Sequence, residues 1–165
     1  MHTRLRYRTA CSGFTLTEVA AALAVLAILV SLAVPSMKNL ILDARVKSAS
    51  IEMFSAMAYA RSEAITRNAP VKISSIGTWG EGWRVSLGTT VLKQSGPLLN
   101  MVVIGPTGGS VTYNPNGHLA GSIPVTFSFS VPGNPAVTMR CVTSTLSGQP
   151  VLQSDRNRDG DCANG

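Results

Sequence analysis

Residues 13–34 read GFTLTEVAAALAVLAILVSLAV, and what this stretch is determines what the rest of the chain can be. No charged side chain interrupts the run from Val19 to Val34. Counted from Phe14 the segment has 21 residues, about the ~20 that a helix needs to cross the hydrocarbon core of a bilayer. Arg4, Arg6 and Arg8 precede it, which places the N-terminus on the cytoplasmic side and the remainder outside. A conventional secretory signal would be cut after its apolar stretch at small residues, whereas here helix-compatible sequence continues past Ser36. A lipoprotein would carry its cysteine after the apolar region, and Cys11 stands before it.

The wider composition agrees with a single anchored domain. The chain has 165 residues, 45% hydrophobic and 13% charged, which is globular rather than disordered and about one domain in length. Half of its formal +6 comes from the three arginines of the leader; without them eleven basic face eight acidic side chains. A general polyanion-binding protein is therefore not the first reading. Glu18 is the exception within the apolar region. An ionised carboxylate near the apolar part of a membrane helix costs about 2.5–3.5 kcal/mol, and no cation follows it before Lys38, so it needs a partner.

Past the span, Pro35 marks an expected kink that a membrane helix tolerates. From Met37 to Asn68 the pattern turns amphipathic: Met37, Leu40, Ile41, Ala44, Ile51, Phe54, Ala58 and Ile65 recur at three- and four-residue steps, which predicts that this stripe faces a core. Asp43 with Lys47 and Glu63 with Arg67 have the favourable acid-first spacing, and Arg61 reads as part of the solvated face. Asn68-Ala69-Pro70 ends the helix, giving one helix of about 54 residues, about 80 Å long at 1.5 Å per residue.

After Pro70 strand-like alternation takes over, bounded by Gly, Pro and Asn. Strands are expected over 71–76, 82–87, 90–94, 99–104, 110–113, 124–131 and 136–144, and Pro132-Gly133-Asn134-Pro135 should turn 125–131 into a hairpin with Val137, Met139 and Cys141. Trp83 reads as core. The fold class is α+β: a long N-terminal helix whose first half is transmembrane, packed on an antiparallel β-sheet head. The expected parts are residues 1–13 as leader, 14–36 as membrane and assembly helix, and 37–165 as a head made of helix 37–68, sheet 71–153 and tail 154–165.

Ser12-Gly13 followed by Phe14-Thr15-Leu16-Thr17-Glu18 and the apolar helix closely resembles the leader of type IV pilins and type II secretion pseudopilins. Ala60-Arg61-Ser62-Glu63-Ala64-Ile65, then Asn68, and the strand Gly82-Trp83-Arg84-Val85 resemble the GspH/FimT family of minor pilins and pseudopilins within that superfamily. The resemblance implies cleavage by a prepilin peptidase between Gly13 and Phe14, N-methylation of Phe14, and a role for Glu18 in assembly, where the new amine of Phe14 would meet its carboxylate and register each incoming subunit. It also implies an inner-membrane protein with a periplasmic head, whose partners are other pilin or pseudopilin subunits in a fibre, where this chain would be an initiator or adaptor at the tip.

With Cys11 lost with the leader, Cys141 and Cys162 form an even pair in an oxidising compartment and are expected to join. Zinc is a poor alternative because only His118 remains beside two cysteines. In the tail, Asp155, Asn157 and Asp159 before Gly160 match the opening of a calcium loop, but the closing Glu would fall past Gly165, so an EF-hand is excluded. Arg156 and Arg158 resemble the Arg-x-Arg pair of DNA-binding FimT-like tails, though Asp155 stands where that pattern has Gly and carboxylates surround both guanidiniums. A plain solvated turn is the leading reading of the tail. With His118 as its one mature histidine and no phosphate-binding glycine loop, the chain is expected to be no enzyme and to hold no cofactor.

Overall fold

The structure, a computed structural model, describes residues 13–121 and 123–163, with the side chains of 32–36 left aside. The chain divides into a first unit that ends at Lys38 and a second from Asn39 onward. Helix α1, Leu16–Thr66, supplies the first unit and the start of the second. The kink expected at Pro35 falls among the residues whose side chains lie outside the description. The helix stops where the sequence indicates: Asn68 takes a left-handed φ of 48°, Ala69 N–H donates to Ala64 O at 3.2 Å, and Pro70 cannot continue the ladder.

In the second unit eight strands follow: β1 Val71–Ile76, β2 Thr78–Leu87, β3 Thr90–Gln94, β4 Val102–Ile104, β5 Ser110–Tyr113, β6 Val125–Ser130, β7 Arg140–Ser144 and β8 Pro150–Ser154. They form two four-stranded antiparallel sheets instead of one, in the orders β3-β2-β1-β5 and β4-β6-β7-β8. Strand β8 has no sequence counterpart, because Val151-Leu152-Gln153-Ser154 does not alternate. It forms because it pairs with β7 from Ser144↔Pro150 to Arg140↔Ser154.

The β6–β7 hairpin exists but is not tight. Phe129 pairs with Arg140 and Val125 with Ser144, so Pro135 to Met139 lie outside the ladder. Pro132 and Pro135, which have no amide donor, both stand in the connection between the two strands. It is held in other ways: Asn134 Nδ2 donates to Asn39 Oδ1 at 2.9 Å, and Val137 is buried in the core.

The helix face in the core also differs from expectation. Val46, Ala49, Met53, Ala56, Met57, Ala60 and Ala64 are buried against Ile73, Trp83, Val85, Tyr113, Phe127 and Phe129. Leu40 is 67% exposed and Ile51 is 43% exposed; Ile41, Ala44, Ala58 and Ile65 are exposed too, and Phe54 is half-buried. The helix is apolar on more than one side, and the sheets close on the side with small residues. Alanines let strands approach the backbone closely, so the aromatic side chains of the sheets fill the space.

Candidate assembly and tail sites

At the start of α1, Thr15 and Glu18 form a reciprocal cap. Thr15 N–H donates to Glu18 Oε2 at 3.3 Å, Glu18 N–H donates to Thr15 Oγ1 at 3.3 Å, and the Thr15 hydroxyl also donates to Glu18 Oε2. This is the Thr-x-x-Glu capping box, which satisfies otherwise orphaned amides and puts a carboxylate at the positive end of the helix. The partner that Glu18 requires is thus supplied locally, by Thr15. The Thr-x-x-Glu spacing of Thr15-Leu16-Thr17-Glu18 carries that signal in the sequence.

Gly13 precedes the helix, is exposed, and has nothing among the described residues within 4 Å of where a Cβ would stand. No described residue therefore packs where a side chain at 13 would stand. Phe14 and Leu16 are exposed, as are Leu23, Val25, Leu26, Ile28, Leu29 and Val30. Among the described residues no helix is long and apolar enough to cross a membrane; described side chains in the charge-free run end at Ser31, and its remaining residues, 32–34, lie outside them.

Elsewhere two charged side chains depart from their sequence reading. Asp43 faces Arg140 of β7 at 3.5 Å, not Lys47. Arg61 is half-buried, and its Nε donates to Gly117 O at 3.0 Å, so it braces the helix against the turn after β5 instead of lying on a solvated face. Gly117 has a φ of 78°, and a Cβ there would lie 2.7 Å from Ile65 Cδ1. Glu63 and Arg67 do pair. The stretch Arg61 to Ile65 therefore locks helix to loop. Beneath it Tyr113 is fully buried, and its hydroxyl has no partner at bonding geometry. Ser144 Oγ donates to Thr145 O instead. Burial pushes the phenol up to about 12, with Ser144 and then Arg61 acting in the opposite direction.

In the tail a disulfide joins Cys141 to Cys162, and both cysteines are buried. Asp155 is 3% exposed. Its Oδ1 accepts from Asp159 N–H at 3.2 Å and its Oδ2 from Gly160 N–H at 2.9 Å. Asn157 Nδ2 donates to Asp159 Oδ2 at 2.9 Å. The oxygens that a calcium loop would turn toward one ion thus serve backbone amides and an amide side chain, and among the described residues no group of three or more His, Cys, Asp or Glu is placed to hold a metal. Arg156 and Arg158 are exposed on this loop, Arg158 with a left-handed φ of 60°. Because Asp155 is turned inward, Asp159 and Asp161 are the acids that share the loop surface with the two guanidiniums.

Comparison with known proteins agrees with this architecture. The family model described as Type II transport protein GspH matches residues 49–148, and the prokaryotic N-terminal methylation motif matches residues 8–34. The type IV minor pilin FimU of Pseudomonas aeruginosa, solved in two crystal forms, superposes with TM-scores of 0.59 and 0.58 at 20% identity. The matches cover 67% of this chain and 92% and 97% of those chains. No curated protein matches the sequence.

Proposed function

The chain belongs to the GspH family of minor pilins and pseudopilins, and from that premise we propose that it is a non-catalytic fibre subunit, processed between Gly13 and Phe14, methylated on Phe14, and anchored in the inner membrane by residues 14–36 with its head in the periplasm before it enters a fibre. The observation that carries this reading is the unspent apolar surface of α1. Leu40, Ile41, Ile51 and Ile65 stay exposed after the head has closed its core, and exposed apolar positions aligned on a helix are the kind of surface that a neighbouring helix covers. Repetition of such heterologous contacts builds an open filament. Glu18 then has two successive partners: Thr15 within its own helix, and the amine of Phe14 released by cleavage in its own or an adjacent subunit.

The family is described as a type II transport protein and a similar solved structure as a type IV minor pilin; both descriptions fit a minor fibre subunit, and in this reading the subunit initiates or adapts the fibre at or near its tip. Mass spectrometry of the mature chain tests the leader assignment: it should begin at Phe14 and carry one added methyl group, while replacement of Gly13 by a bulky residue should leave the precursor uncut. A mature chain that begins elsewhere overturns it. A DNA-binding minor pilin is the alternative, favoured by the exposure of Arg156 and Arg158 together on a stapled loop, and its test is salt-dependent binding.

A further inference from the structure

Strand β8 closes one end of the second sheet, and its outer edge is open. Antiparallel pairs exchange hydrogen bonds at every second position, and Asp155 N–H donates to Met139 O at 3.0 Å in the register that pairs Arg140 with Ser154. The bonds to β7 therefore fall at Val151 and Gln153, and the N–H and C=O groups of Leu152 and Ser154 point away from it. Among the described residues no strand lies beyond β8, and no hydrogen bond reaches those groups. The chain on either side leads elsewhere. Past Asp155 the tail turns toward β6, where Arg158 and Gly160 border the same hollow as Ser130, Val131 and Met139, and Cys162 is tied to Cys141 of β7. Before Pro150 the connection leans on the turn after β5, where Leu119 N–H donates to Leu146 O at 3.1 Å.

This edge lacks the devices that keep strands apart. β8 reads Pro-Val-Leu-Gln-Ser and has no charge. Val151 is 50% exposed and Leu152 38% exposed, one on each face of the strand. Pro150 stands at an outward position, where its missing amide costs β7 no bond. By contrast β3, the edge strand of the first sheet, carries the exposed Lys93 and a bulge in its pairing with β2 between Val85 and Ser86, and both discourage a further strand.

The surroundings indicate what would fit. A groove of about 370 Å³ runs between α1 and the start of β8, lined by Phe54, Ala58, Arg61, Ile65, Gln149 and Pro150. A strand laid along β8 would set every second side chain on the groove's side. Through Ile65 the groove joins the outer helix face assigned above to neighbouring subunits. Cations bracket the edge: Arg61 in the groove at the Pro150 end, and Arg156, exposed two residues after Ser154 and in no ion pair among the described residues. A second copy fits badly, because antiparallel pairing of two β8 edges centred on Leu152 brings Arg156 of each toward Arg61 of the other, and β3 would bring Lys93. On the premise that the chain is a fibre subunit, we propose that β8 accepts an extended segment of a different subunit of that fibre, apolar at alternate positions and acidic at its ends, which adds to the outer edge through main-chain bonds to Leu152 and Ser154.

The test is amide exchange resolved by residue with nuclear magnetic resonance, on the full chain in detergent, with and without a capped peptide of alternating valine and threonine that has aspartate at both ends. In the free protein the amides of Leu152 and Ser154 should exchange about tenfold or more faster than those of Val151 and Gln153. The peptide should slow them by about tenfold or more and leave β3 unchanged, and the same peptide N-methylated throughout should protect nothing. Asparagine in place of its aspartates should weaken protection about two- to fivefold. Leu152→Pro removes a donor that β7 does not use, so it should keep a melting temperature near that of the wild type and abolish the protection. Equal exchange at Leu152 and Gln153 in the free protein, no slowing with the peptide, equal slowing of β3, or protection by the N-methylated peptide would each overturn the proposal, and undiminished protection by the asparagine peptide would overturn its acidic partner. None of these outcomes bears on cleavage before Phe14, so the fibre reading stands or falls separately by mass spectrometry.

Discussion

Met53 and Ile51 lie two residues apart on α1, and substitution of each should have opposite consequences for folding and for assembly. Met53 is 0% exposed within the cluster that contains Trp83 and Phe127, whereas Ile51 lies on the outer side of the helix. Met53→Ala removes a fully buried side chain and leaves a cavity, a change that costs about 2–5 kcal/mol. For a head of this size, each kcal/mol lowers the melting temperature by about 3–6 °C, so the midpoint should fall by about 6–30 °C. Ile51→Ser removes a half-hydrated side chain from the surface and should shift stability by less than about 0.5 kcal/mol. Thermal unfolding of the full chain in detergent, followed by near-ultraviolet circular dichroism of Trp79 and Trp83, measures both. In cells the order should reverse at the level of function: Ile51→Ser folds but enters fibres poorly, because the stripe it interrupts is the one proposed to meet neighbouring subunits. If Ile51→Ser destabilises the head as much as Met53→Ala does, the assignment of inner and outer helix faces is wrong.

Glu18→Ala should leave membrane insertion intact or ease it, since a carboxylate near the apolar region is removed, while impairing incorporation into fibres; a variant that incorporates like wild type refutes the registration role. Cys141→Ser should destabilise the head by about 3 kcal/mol on the chain-entropy model for a separation of 21 residues, measured by denaturant titration. For the tail, calcium binding would raise the melting temperature and depend on Asp155, Asn157 and Asp159; DNA binding would depend on Arg156 and Arg158 and weaken steeply with salt. The bonds already made by Asp155 lead us to expect no calcium shift in calorimetry. The raised Tyr113 phenol means that the folded state holds its proton more tightly than the unfolded one. Its contribution is therefore complete below pH 10 and lost as pH rises toward about 12, by about 3 kcal/mol. Tyr113→Phe should abolish that alkaline loss at little cost in stability, because the hydroxyl it removes has no partner.

Periodicity and turn chemistry sufficed wherever a feature is local. The charge-free run after Glu18 and the helix stop at Asn68-Ala69-Pro70 follow from side-chain type and backbone preference alone, as do the strands at 71–76, 90–94 and 110–113; the Thr15–Glu18 cap is equally local, but it emerged only from the structure. The pairing of Cys141 with Cys162 followed from counting once Cys11 was assigned to the leader. What lay beyond the sequence depends on contacts between distant segments. The helix carries two apolar stripes with the same three- and four-residue spacing, and the larger side chains, Leu40, Ile41, Ile51 and Ile65, drew the reading to the wrong one. The choice falls to the alanine-rich side because Trp83, Tyr113, Phe127 and Phe129 arrive from two sheets and need room beside the helix backbone. The partner of Asp43, the anchorage of Arg61 on Gly117 and the existence of β8 are likewise decided by what lies opposite in space. Local preference can say that a residue will be in a helix or a strand; which of its faces is buried is settled only when the other elements compete to cover it.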